Sequence, residues 1–303
     1  MLRPAHWQRL ITRASGWTPA RYAPLRVALN EGEQRRLERH SPLLIGWVPT
    51  QEREHLTERF PELFCVDNDT RGVLIHPVFE SVEARTAAFL AMSETLRDDG
   101  IFPMWQSEQY AAKRFFRDAP LFYFQRGVGS HFGLSEFATH LNGFTRDPHT
   151  GSVDKMWIAK RSAHKCNWPS KLDTIEAQEE AGLDPLWTRP RLQATGSLSY
   201  MLESTRGLDN NTMFIYDLEM PLDLAPQNVD GEVESFALWR VEDVLAAMHD
   251  EPDRLKPDIC LVILDFCVRH GVLTPDNCDD LERLTRALHG ATAAPYDEEK
   301  SKV

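Results

Sequence analysis

With 303 residues, 42% hydrophobic and 26% charged, the chain is long enough for two domains and apolar enough to give each a core. Its net charge of −12 excludes a general nucleic-acid binder, which would present a basic face to phosphates. No apolar stretch is long enough to span a membrane, and the run beginning at Ile259 stops at Asp265.

An acidic protein can still take a phosphorylated small molecule if local Lys or Arg, or a divalent cation shared with carboxylates, offsets the charge. The five cysteines are scattered without a CxxC pair, which fits reduced cytosolic thiols. Cys260 and Cys267 sit among apolar residues and are expected in the core. Residues 1–30 hold five arginines and no acid. That bias is similar to a mitochondrial presequence, and it also suits a basic first helix with Trp7, Leu10 and Ile11 on its apolar side. Cytoplasm is the expected location, with mitochondria as the alternative.

In chain order, the apolar run 43–48, closed by Pro49, predicts a buried strand. Thr50 is the expected cap of a helix running to Phe60, with Glu52 and Glu54 in its first turn. Residues 63–66 and 72–75 flank Asp67-Asn68-Asp69 in a hairpin pattern. Ser81 opens a helix carrying Val82, Ala88, Phe89, Met92 and Leu96 at helical spacing, and Gly100 stops it. A strand is predicted over 121–124. The stretch 125–133, with Gly127, Gly129 and Gly133, is expected to be a flexible connection.

That connection sets the expected boundaries: an N-terminal α/β domain over 1–127, a second domain over 128–275 and a tail over 276–303. In the second domain, strands are predicted at 140–144, 156–159, 192–200, 212–218 and 234–239. Helices are predicted at 241–248 and 259–270, the latter stopped by Gly271.

The octet Glu176-Ala177-Gln178-Glu179-Glu180-Ala181-Gly182-Leu183 concentrates the chemistry. Glutamates at i, i+3 and i+4 share a helix face, where they repel one another. A hard divalent cation reverses that sign, because it takes oxygen ligands and can hold a diphosphate at the same time. An exposed acidic helix end with Gly182 as its left-handed stop fits the same residues.

Glu-x-x-Glu-Glu-x-Gly-Leu resembles the second half of the Nudix box, G-x5-E-x7-R-E-U-x-E-E-x-G-U with U aliphatic. Segments 140–144 and 156–161 before it, and 195–200, 213–218 and 231–239 after it, resemble the strands of that fold in order. The ensemble is similar to a Nudix branch related to thiamine pyrophosphokinase that carries an extra N-terminal domain. Gly46-Trp47-Val48 and the chain up to Phe124 resemble that domain. The resemblance implies an α+β fold, with a mixed sheet sandwiched by helices and preceded by a smaller α/β domain.

It also implies Mg²⁺ or Mn²⁺ held by Glu176, Glu179 and Glu180, with Glu179, Glu180 and Glu232 catalytic. By position, Lys160, Arg161 and Lys165 are candidate contacts for the diphosphate of a small-molecule substrate, and a polar strand edge fits the same residues. Thiamine-diphosphate-like molecules are the implied substrates, and oxidised nucleoside diphosphates the alternative. A Nudix fold that binds without hydrolysis is the competing class. Thiamine pyrophosphokinase activity itself lacks any kinase-like motif here. His164 and Cys166 lack a third partner for zinc.

The front of the box departs from the pattern. Ile175 stands where its arginine belongs, Asn167 where its first glutamate belongs, and Arg161 where its glycine belongs. Trp168-Pro169-Ser170-Lys171-Leu172-Asp173, which resembles what precedes the box, runs straight into Thr174-Ile175-Glu176. An internal deletion of a strand end, the glycine loop and the helix front is the simplest account of this, with divergence of the segment as the alternative. Either Asp173 or Thr174 would then cap the shortened helix.

Overall fold

The computed structural model describes residues 4–102, 105, 108–165, 168–174 and 181–290. They form two compact units, the first comprising Trp17–Phe137 with Met201–Asn211, the second mainly Ala138–Tyr200 and the chain from Thr212. The N-terminal helix α1 (Pro4–Ala14) belongs to the second unit.

In the first unit, strand β1 (Tyr22–Val27) is followed by α2 (Glu31–Leu37), β2 (Leu43–Pro49) and α3 (Glu52–Arg59). Strands β3 (Phe64–Asp67) and β4 (Gly72–Ile75), helix α4 (Val82–Asp98), and strands β5 (Gln109–Ala112) and β6 (Phe122–Gln125) complete it. The four-stranded sheet has the order β2-β1-β4-β3, and β5 pairs with β6 separately. The expected β3–β4 hairpin is present and antiparallel. Ser81 caps α4 by accepting from the Ala84 N–H, and Gly100 follows with φ +79°.

Strand β1 is not among the predicted elements, and Pro24 lies inside it. Proline is rare in a central strand, where it removes a ladder donor, and here the ladder to β2 shifts register between Leu25 and Arg26. Helix α2 carries a capping box: Asn30 accepts from the Glu33 N–H while the Glu33 carboxylate accepts from the Asn30 N–H. That carboxylate also meets Arg85, whose buried guanidinium donates to the Leu121 carbonyl at 2.9 Å. This ties α2, α4 and the entry to β6 together.

Two local expectations are corrected. Thr50 does not cap α3, whose N-cap is Gln51 without a side-chain bond; the Thr50 N–H instead donates to the Arg21 carbonyl at 2.8 Å. The glycine stretch is no flexible connection: Arg126–Phe132 forms a 3₁₀ helix that buries Val128 and Phe132 in the first unit's core. Gly133 ends it at φ +53°, where a Cβ would lie 2.6 Å from the Trp47 carbonyl oxygen, so close backbone approach requires glycine.

The second unit is built on β7 (Ser135–Arg146), β8 (Val153–Arg161), β9 (Leu172–Asp173), β10 (Gln193–Ser204), β11 (Gly207–Glu219) and β12 (Val233–Arg240). Its sheet order is β10-β11-β7-β8-β12, with β9 paired to β8. Leu141, Trp157, Ala159, Leu218 and Val233 form a core with Ala181 and Leu183. Helix α5 (Pro185–Thr188) is not among the predicted elements, whereas α6 (Val241–Asp250) and α7 (Ile259–Arg269) lie where helices are predicted. Cys260 and Cys267 are fully buried on α7, and burial pushes both thiols up to about 12.

The expected tail over 276–303 is corrected in its first part. Helix α8 (Leu281–Gly290) packs on α1 and α7 and buries Leu284 and Leu288; residues 291–303 lie outside the described residues.

Candidate active site

The expected metal ligands Glu176, Glu179 and Glu180, with Ile175 and Asn167, lie outside the described residues. Both ends of the segment that holds them are defined. At its far end Ala181 and Leu183 are buried in the second unit's core, and Gly182 between them has φ +61°. A Cβ at Gly182 would lie 2.8 Å from Val229 Cγ1, and the Gln227 N–H donates to the Ala181 carbonyl at 2.9 Å. Glycine is therefore required both for its dihedral and for the approach of residues 227–229.

At the near end, β9 pairs antiparallel with β8, matching Ala159 to Asp173 and Lys160 to Leu172. Asp173 is buried, accepts from Arg161 Nη1 at 2.8 Å and from the Thr174 N–H at 2.8 Å, and lies 4.0 Å from Lys256 Nζ. The Lys256 ammonium meets Asp258 at 2.9 Å, and Tyr200 Oη donates to Asp258 at 3.3 Å. His140 Nδ1 sits 2.9 Å from Thr174 Oγ1. Burial alone would raise the Asp173 carboxyl, but Lys256, His140 and Arg161 overcome it and hold the group below the usual range. Burial and Lys256 both push the His140 imidazole below its ordinary value. Its Nε2 and Asp258 Oδ1 are buried without a hydrogen-bond partner among the described residues.

Asp173 thus serves as the buried end of an ion-pair network. Arg161 is turned inward to it and also donates to the Trp168 carbonyl at 3.2 Å. Lys160 and Lys165 reach carboxylates on and beside β12: Lys160 meets Glu234 at 2.7 Å, and Lys165 meets Glu232. Glu232 follows Gly231, which turns with φ +82°, and its carbonyl accepts from the Ser162 N–H at 2.8 Å. The structure therefore brings Lys165 together with Glu232 and Arg161 together with Asp173. Among the described residues no three His, Cys, Asp or Glu converge on a metal position.

Sequence reasoning did not single out His140, Lys256 or Asp258. Lys256-Pro257-Asp258 looks like an ordinary entry to α7, and only the pairing of Lys256 N–H with the Leu172 carbonyl, at 3.0 Å, brings it beside the acidic segment.

A family model described as a domain of unknown function, DUF4743, matches residues 31–136. Nudix hydrolase 20, chloroplastic, of Arabidopsis thaliana is 31% identical over 268 residues, spanning 80% of this chain and 70% of its own. Nudix hydrolase 24, chloroplastic, of the same plant is 30% identical over 265 residues, spanning 82% and 71%. Among solved structures, the Nudix domain of Shewanella oneidensis NrtR complexed with ADP ribose is 17% identical with a TM-score of 0.33, covering 46% of this chain and 90% of that one. The class is an α+β protein with a mixed sheet flanked by helices. This chain belongs to the Nudix hydrolase family, whose general chemistry is diphosphate hydrolysis with divalent metal ions. Both plant relatives are named chloroplastic, and no helix among the described residues is long and apolar enough to cross a membrane.

Proposed function

We propose that the chain is a Nudix diphosphohydrolase acting on thiamine-diphosphate-like substrates, slowed by the missing front of its catalytic segment. The observation that carries this is the retained octet: Gly182 is held left-handed between two core residues, directly after Glu176, Glu179 and Glu180. Three carboxylates at that spacing are oxygen donors of the kind Mg²⁺ or Mn²⁺ takes. When bound, such a cation neutralises diphosphate charge and makes a coordinated water more acidic.

The chain's own groups contribute separately. Glu232 is the proposed base; its carboxylate rests on the Lys165 ammonium and must exchange that partner to take up a proton. Released from Glu232, Lys165 becomes a cation for the diphosphate, and Lys160 becomes one by release from Glu234. Arg161 acts one step back, through Asp173. A net charge of −12 favours a ligand that joins its diphosphate to a positively charged ring, as thiamine diphosphate does, over a wholly anionic nucleotide. Oxidised nucleoside diphosphates are the second substrate class. A non-hydrolysing binder is supported by Ile175, Asn167 and Arg161 at three positions of the box.

The test is Glu179→Gln with Glu180→Gln. Mn²⁺ affinity by calorimetry is expected to fall at least roughly tenfold, since each change removes a charged oxygen ligand. Unchanged affinity, with a small stability gain from relieved repulsion, would instead identify the octet as a surface helix end.

A further inference from the structure

We infer that the turn between β5 and β6 is a docking surface for an anionic phospholipid membrane, with Phe115 and Phe116 as its apolar anchor and the cations around them as its electrostatic collar. The turn opens with Lys113-Arg114-Phe115-Phe116-Arg117-Asp118. Phe122 and Phe124 on the adjoining β6 are fully buried, whereas Phe115 is 45% and Phe116 51% exposed. One exposed apolar side chain is ordinary, but two adjacent phenylalanines in the turn of one hairpin form a patch.

The turn is built to hold them there. The Phe115 N–H donates to the Asp118 carboxylate at 3.1 Å, and the Asp118 N–H donates to the Phe115 carbonyl at 3.0 Å. The Lys113 ammonium donates to the Phe116 carbonyl, and the Leu121 N–H closes the turn on the Ala112 carbonyl at 2.9 Å. An anchor already held in place loses little conformational freedom when it docks. Cations lie over both rings. Arg39, just past α2, is 5.3 Å from the centre of the Phe115 ring, Arg114 is 5.4 Å from it, and Lys113 is 4.6 Å from the centre of Phe116. Arg117 follows, exposed. Asp118 is the one acid in the turn, and its carboxylate is engaged by the Phe115 N–H.

Apolar rings encircled by cations match the lipid headgroup region, where the rings enter the acyl boundary while ammonium and guanidinium groups meet anionic headgroups. Area argues against a protein partner. Two half-exposed phenylalanines offer about 200 Å², well short of the roughly 800 Å² per partner of a stable protein interface. A bilayer needs no matching pocket, since apolar depth and charge attraction each contribute on their own. The chain's net charge of −12 does not cancel the collar. Exposed charges farther than about 8 Å from the membrane are largely screened at physiological salt.

The test is co-sedimentation of the full chain with phosphatidylcholine vesicles that contain or lack phosphatidylserine. The parent is expected to bind only the phosphatidylserine vesicles, and less tightly as salt rises. Phe115→Ser with Phe116→Ser should lower partitioning at least roughly tenfold, since both rings lose their apolar contact with the lipid. Arg39→Gln with Arg117→Gln should lower it about 25-fold, each cation near an anionic surface being worth roughly fivefold. Circular dichroism should show both variants folded. A parent that ignores phosphatidylserine vesicles, or binds neutral ones equally, overturns the inference, as does a phenylalanine variant that partitions like the parent. If polyglutamate displaces the parent, and the phenylalanine variant binds that peptide as well as the parent does, the turn takes acidic protein segments and the membrane reading fails. Should the phenylalanine variant not fold, the charge variant decides, because it leaves both rings in place: unchanged binding overturns the inference.

Discussion

Inserting the strand end, glycine loop and helix front of a complete relative between Asp173 and Glu176 is expected to raise diphosphate hydrolysis by at least roughly 100-fold, the effect that about 1 Å of misplacement has on a catalytic group. On the proposed reading the chain keeps the carboxylates and lacks what would hold them: Ile175 stands where the box pattern has arginine, and no glycine loop lies between Asp173 and Glu176 in the sequence. The ends are nevertheless well prepared to receive the segment. Asp173 is locked to Arg161 at 2.8 Å, and Gly182 is locked beside residues 227–229. A catalytic constellation must be held within about 0.5 Å by its support, and on the proposed reading that support is what the insertion would supply. The measurement is phosphate release from thiamine diphosphate, its oxidised forms and oxidised guanosine diphosphate with Mg²⁺. Equal turnover by both chains would show the segment to be dispensable. If both bind ligand and neither turns it over, the non-hydrolysing binder is the correct reading.

Much of the fold was legible because its elements are locally consistent. The helix from Ser81 to Gly100 announces its cap, its apolar stripe and its stop, and all three are present. Strand β1 was hidden because Pro24 argues locally against a central strand, while pairing to β2 and β4 decides the matter non-locally. The glycines of 127–133 were misjudged for a related reason. Sequence shows that glycine permits flexibility, but Gly133 is demanded by the Trp47 backbone, which is distant in the chain. Helix α2 could have been found, since Asn30 and Glu33 spell a capping box.

At the site, the octet and its glycine could be read directly, because they are contiguous in the sequence. Lys256, Asp258 and His140 could not, since they gather around Asp173 only through strand pairing. Arg161 stands on β8, and the register of β8 with β9 brings its guanidinium to Asp173.

Asp217→Ala is expected to destabilise the second unit by about 3–5 kcal/mol at pH 7, the usual cost of breaking a buried ion pair from one side. Asp217 lies on β11, only 1% exposed, and its carboxylate is surrounded by donors from β7 and from the end of α7. Asn142 on β7 donates at 2.9 Å, Arg269 near the end of α7 at 2.5 and 3.1 Å, and His270 at 2.7 Å. Arg269 also meets Asp265 at 2.7 Å, and Asp265 lies 3.3 Å from His289 on α8, so the network fastens both closing helices to the sheet. Burial would raise the Asp217 carboxyl, but the bonds from His270, Arg269 and Asn142 outweigh it and bring the group down to about 2. A depressed carboxyl stabilises the fold fully above its unfolded value, near 3.8, and loses that contribution as pH falls towards 2. The shift corresponds to on the order of 2 kcal/mol. The difference between parent and Asp217→Ala should therefore be largest at neutral pH, unchanged down to about pH 5, and smaller at pH 3. Urea unfolding followed by tryptophan fluorescence at those three pH values measures it. A difference that stays constant to pH 3 would mean that Asp217 acts through packing alone, and that its charge contributes nothing to fastening α7.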